Sequence, residues 1–173
     1  MLSRNPKAFR VAFSGLLLAL AIALSFAEGM LPALPMLPPG VKLGLSNIVT
    51  MYAVFFLGFR HAILIAVLKS FFVFLTRGPT SALLSVLGGL LSVCVMVLLK
   101  KIPHLSRLYV SVGGAVSHNI GQLLGAVLLL RSGYAIYYAP VLVLSGIGMG
   151  LLTGVLLRFV MPGLQMLNRT LQE

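Results

Sequence analysis

Apolar runs of about 17 to 23 residues recur along this chain, parted by short clusters of Pro, Gly, Lys or Arg, and each is long enough to cross a bilayer at 1.5 Å per residue. Of the 173 residues 60% are hydrophobic and only 9% are charged, a balance that no water-soluble domain of this size keeps in solution. Barrel strands are excluded, because they alternate apolar and polar residues, whereas Leu16 to Leu24 and Leu123 to Leu130 are apolar on every side. The expected class is an all-α integral membrane protein, with residues 1–173 forming one transmembrane domain.

Spans are expected near 10–28, 43–59, 61–76, 80–99, 108–130 and 134–160, giving a bundle of six helices. The second and third are separated only by Arg60 and His61, so the alternative is five elements with 43–76 as one bent or re-entrant unit. The first run ends at Ser25-Phe26-Ala27, which imitates a signal-peptide cleavage site, but it is long enough to span and is read as the first membrane helix.

The formal charge of +11 comes from 13 basic residues scattered at span edges, a topology signal and not a nucleic-acid footprint. With the N-terminus inside, Arg4, Lys7, Arg10, Arg60, Lys100, Lys101, Arg107, Arg158 and Arg169 fall on the inner side, against Lys42, Lys69, Arg77 and Arg131 on the outer. Both termini are therefore expected in the cytoplasm. Tyr134, Tyr137 and Tyr138 at one boundary and Tyr109 at the other suit aromatic belts. The longest outer loop, Gly29 to Lys42, holds Pro32, Pro35, Pro38 and Pro39 and reads either as a semi-rigid cap over the outer mouth or as a plain connector.

Ala19, Ala23 and Ala27 repeat every four residues and form one small-residue face, suited to internal helix packing or to docking another protein. Gly146, Gly150 and Gly154 form a second such face; no strand precedes them, so they are not a dinucleotide loop. Cys94, the one cysteine, lies in an apolar run and is read as a packing residue.

The fifth span carries Ser111, His118 and Gln122 at near-helical spacing, with Asn119 alongside and Gly114, Gly121 and Gly125 making room. His118 lies about 15 Å into the span, where polar groups need partners: a helix-to-helix network or a ligand-lining face. Lys69, about 12 Å up the third span, is the sharper anomaly. It pairs with Glu28, or snorkels to the surface, or meets an anionic ligand in an electropositive outer cavity.

There is no phosphate-binding Gly-x-x-x-x-Gly-Lys-[Ser/Thr] loop, no aspartate anywhere, and no Ser-His-acid or Cys-His set, so neither ATP hydrolysis nor metal-assisted diphosphate chemistry is expected of this chain alone. No cofactor and no metal site are expected.

Three fragments, Pro39-Gly40-Val41-Lys42-Leu43-Gly44-Leu45-Ser46-Asn47-Ile48, Phe56-Leu57-Gly58 and Gly113-Gly114-Ala115-Val116-Ser117-His118-Asn119-Ile120-Gly121-Gln122, resemble the membrane family labelled heptaprenyl diphosphate synthase component I, also called the Gx transporter family. That family is in turn similar to the substrate-binding S components of energy-coupling factor (ECF) vitamin transporters. The resemblance implies six helices, both termini cytoplasmic, a first outer loop that lids the ligand, and an alanine stripe, here Ala19, Ala23 and Ala27, that docks a transmembrane coupling protein with its ATPase subunits.

The expected function is capture of a small anionic molecule for uptake, with Lys42, Asn47, Lys69, His118, Asn119 and Gln122 lining the site. The alternative is a non-catalytic membrane subunit that binds a prenyl diphosphate for a synthase catalytic partner.

Overall fold

A computed structural model of the chain describes residues 6–30, 45–130 and 133–170. Its described elements are α1 (Pro6–Met30), α2 (Asn47–Phe56), α3 (Phe59–Lys100), α4 (Arg107–Leu130), a 3-10 helix (Gly133–Tyr138) and α5 (Ala139–Thr170). All are helical, as a bilayer requires of lone spans, which must satisfy their own backbone groups. Among the described residues, four helices are long and apolar enough to cross a membrane.

Among the described residues there are five α-helices where six spans were expected, and two glycines decide how the chain is divided. At Gly78 (φ 83°) and Pro79 the third helix breaks without a loop, so the expected third and fourth spans are the two arms of α3. Glycine takes this left-handed backbone without strain, and proline is well placed in the first turn of the arm that follows. The arms fold back on each other. Ser70 Oγ lies 2.9 Å from Ser85 Oγ, whereas a straight helix would hold residues 15 apart at about 22 Å. Each arm is then about one bilayer thickness long.

The second glycine, Gly58 (φ 88°), separates α2 from α3. The N–H groups of Leu57 and Gly58 both donate to the Ala53 carbonyl, and the Gly58 carbonyl accepts from Ala62 N–H at 3.2 Å, starting the next helix. The two are therefore separate elements, and 43–76 is not one bent unit. The described part of α2 has only ten residues, about half of a crossing. It is buried along most of its length, through Asn47 and from Val49 to Val54.

The core is built round this short helix: Phe13, Leu17 and Ala21 of α1 and Ala62, Ile65, Val93 and Met96 of α3 pack with Val49 to Val54. The first apolar run is thus an integral helix of the bundle. Its stripe of Ala19, Ala23 and Ala27 points the other way and is exposed, so internal packing is not its role. Cys94 is also exposed on the bundle surface. This corrects its reading as a packing residue: in a bilayer the exterior is as apolar as the core, and hydrophobicity alone does not tell the two apart.

Glycines set the remaining contacts. A Cβ on Gly121 of α4 would lie 2.7 Å from the Leu87 carbonyl oxygen and 2.8 Å from Gly88 Cα, so α4 and the second arm of α3 meet backbone to backbone. On the opposite face of α4, Gly146 and Gly150 of α5 sit over Val116 and Val112, and Gly154 over Leu108. The glycine stripe of the last helix is a packing seam, locked by a 2.7 Å hydrogen bond from Ser111 Oγ to the Gly150 carbonyl.

Candidate functional site

Polar residues from four parts of the fold converge at the end of the bundle where α1 stops and α3 turns. The last turns of α1 bring Ser25 and Glu28; the arms of α3 bring Lys69 and Arg77 before the bend and Ser81 and Ser85 after it. Ser46 at the start of α2 and the pair His118 and Gln122 of α4 complete the wall. The enclosed space is about 20 Å³, on the scale of one water-sized group.

Lys69 is the centre of this site. Its relative exposure is 3%, its ammonium donates to Ser46 Oγ at 3.0 Å, and it interacts electrostatically with Glu28. Of the three fates open to it in the sequence, snorkelling is thereby ruled out. Arg77 is placed by the end of α1: its guanidinium donates to the Ser25 carbonyl, lies against Gly29 and also interacts with Glu28. A cation at the C-terminus of a helix is favoured by the carbonyls left without intrahelical partners. His118 and Gln122, one turn apart, are joined through Nε2 atoms 3.1 Å apart. Which of the two donates depends on the imidazole tautomer.

The six residues expected to line a site are thus divided. Lys69, His118 and Gln122 come together. Asn47 does not join them: its amide nitrogen donates to Ser92 Oγ at 3.1 Å, and the Ser92 hydroxyl in turn donates to the Gly114 carbonyl at 2.7 Å, tying α2, α3 and α4 together. Asn119, next to His118 in sequence, is turned toward α5, where it donates to the Leu142 carbonyl at 2.8 Å and to Ser145 Oγ at 3.1 Å. Neighbours in a helix point about 100° apart, and α4 has a partner on each side. Lys42 and most of the proline-rich loop expected to form a lid, Gly29 to Lys42, lie outside the described residues, as do Arg131 and Glu173.

The expected site residues left out Glu28, Arg77 and the four serines. Glu28 had a signal, as the one carboxylate before the C-terminal residue, and Arg77 had one as a cation on the same side. The serines had none, since isolated serines in apolar spans mostly bond to their own helix, as Thr76 does with the Phe72 carbonyl at 3.0 Å.

Fold and site together define a polytopic helical membrane protein with a buried, charged cavity at one end. The chain belongs to the heptaprenyl diphosphate synthase component I family, whose model matches residues 17–160. Among solved structures, the S component of a bacterial ECF transporter is similar to it, with a TM-score of 0.65 and 20% sequence identity over 96% of this chain and 99% of that one. At this identity the likeness is one of fold. Comparison with curated proteins gave no match.

Proposed function

We propose that this chain is a membrane-embedded binding component that captures a small anionic molecule from outside and hands it to a partner module that supplies the energy. The observation that carries this reading is the buried Lys69 ammonium, held between Ser46 and Glu28 on the wall of a polar cavity in an S-component-like fold. A charge at that depth is costly unless paired, and such residues mark ligand paths in membrane proteins.

Orientation follows from charge: Lys100, Lys101 and Arg107 sit at the end of the bundle opposite the cavity, so positive-inside placement turns the cavity outward. The N-terminus and C-terminus then lie in the cytoplasm, and the membrane is the inner membrane. The exposed face of Ala19, Ala23 and Ala27 is the docking surface for a transmembrane coupling protein with ATPase subunits.

The test is a pull-down with wild-type protein and Ala23→Leu. The expected result is that wild type brings down a membrane coupling protein with two ATPases, and that Ala23→Leu loses them while its ligand binding is unchanged. Normal recovery with Ala23→Leu would remove the docking role.

The family's own description favours a second reading, a non-catalytic membrane subunit of heptaprenyl diphosphate synthase that binds a prenyl diphosphate. Recovery of a soluble, Asp-rich synthase in the same experiment would support that reading instead.

A further inference from the structure

The charges around the cavity allow its ligand class to be narrowed. We infer that it takes a molecule with a single negative charge, a monocarboxylate, in preference to a phosphate or diphosphate; this rests on the reading of the cavity as the ligand site.

Among the described residues, the ionic groups facing the cavity are Lys69 and Arg77 from α3 and Glu28 from α1, and Glu28 interacts with both cations. What α2 and α4 contribute is neutral: the Ser46 hydroxyl, the His118 ring and the Gln122 amide. Two positive charges and one negative leave a single positive charge, in surroundings where uncompensated charge is costly.

A monocarboxylate brings the site to neutrality. A phosphate monoester, close to two negative charges at pH 7, overshoots, and a diphosphate overshoots further. Donors point the same way. The Arg77 guanidinium is already committed to the Ser25 carbonyl, so the fork that would clasp a phosphate is partly occupied. The Lys69 ammonium has three hydrogens, spends one on Ser46 and has Glu28 beside it, so few donors are left for a phosphate with its three or more oxygens.

The ranking can be read on the full chain in lipid nanodiscs by thermal stabilisation with butyrate, butyl phosphate and butan-1-ol, which share a tail and differ in head group. Butyrate is expected to stabilise the wild-type protein at concentrations at least tenfold below those butyl phosphate requires, with butanol inert. Glu28→Gln, which raises the cavity to two positive charges, is expected to reverse the order of the two anions. Lys69→Met is expected to shift both responses to at least tenfold higher concentrations.

If butyl phosphate outranks butyrate on the wild-type protein, the monoanion inference is wrong while the anion-capture reading stands. If neither anion acts, or if butanol acts as well as they do, the anion-capture reading itself falls. The wild-type ranking needs no variant to fold. If Glu28→Gln retains its thermal transition yet keeps the wild-type order, the charge argument is overturned.

Discussion

The two ends of the bundle hold the same kinds of residue in opposite circumstances. At the end away from the cavity, Lys100 donates to the carbonyls of Val54 and Phe55 at 3.0 and 3.2 Å, and Lys100 and Arg107 lie 5.4 and 5.9 Å from the Phe55 ring centroid. These cations are exposed, cap the last turn of α2 and need nothing more. At the other end Lys69 is buried, is held by a hydroxyl and a carboxylate, and faces a cavity. A basic residue at a span edge has its charge in the open, whereas one drawn into the bundle beside a carboxylate is the one we propose for anion binding. Burial and partner make the difference.

The largest effect that separates the ends is expected from Lys69→Met. It should weaken anion binding by roughly tenfold to more than a hundredfold, as loss of a charge-assisted hydrogen bond of about 1.5–3 kcal/mol implies. Helical content by circular dichroism should not change, because Glu28 retains Arg77. Lys100→Met, measured in parallel, should leave binding untouched, and a loss there would break the comparison.

Next comes a contrast in packing. Gly121→Ala forces a Cβ onto the backbone of Leu87 and Gly88 and should destabilise the protein by about 1–3 kcal/mol in denaturant unfolding. Gly113→Ala, toward the other end of α4, meets side chains alone, the movable Leu99 closely and Val95 at ordinary contact distance, and should cost clearly less.

A smaller effect is expected from Ser46→Ala, which removes the hydroxyl acceptor of Lys69. It should cost about 0.5–1.5 kcal/mol of stability and change anion affinity by less than Lys69→Met does. Smallest is the stability loss of Lys100→Met, about 0.3–1 kcal/mol from the cap on α2, readable as a lowered melting temperature that high salt brings closer to wild type.

Much of the fold was legible because an apolar run of bilayer length has few ways to be satisfied. The first, fifth and sixth expected spans return as α1, α4 and α5 with only their ends moved. The third and fourth return as arms of one helix, because Gly78-Pro79 turns the chain with no loop residues. The second was the least legible: Asn47–Phe56 is as apolar as a span but only ten residues long, and hydropathy does not register that its neighbours bury it.

For the site, Lys69 was legible from its depth, and His118 with Gln122 from their spacing. Asn47 and Asn119 were not, since an amide in an apolar helix looks the same whether it lines a cavity or ties helices together.

The sequence by itself determined that the chain lives in a bilayer as helices and that one ammonium lies deep within it, because hydrophobicity and rise per residue are local quantities. Tertiary structure alone decided that Glu28 and Arg77 would join Lys69, that Asn119 would face away, and that the alanine stripe would be left exposed. Each of these depends on which face of a helix meets which neighbour, and close glycine contacts such as Gly121 on Gly88 fix that rotation.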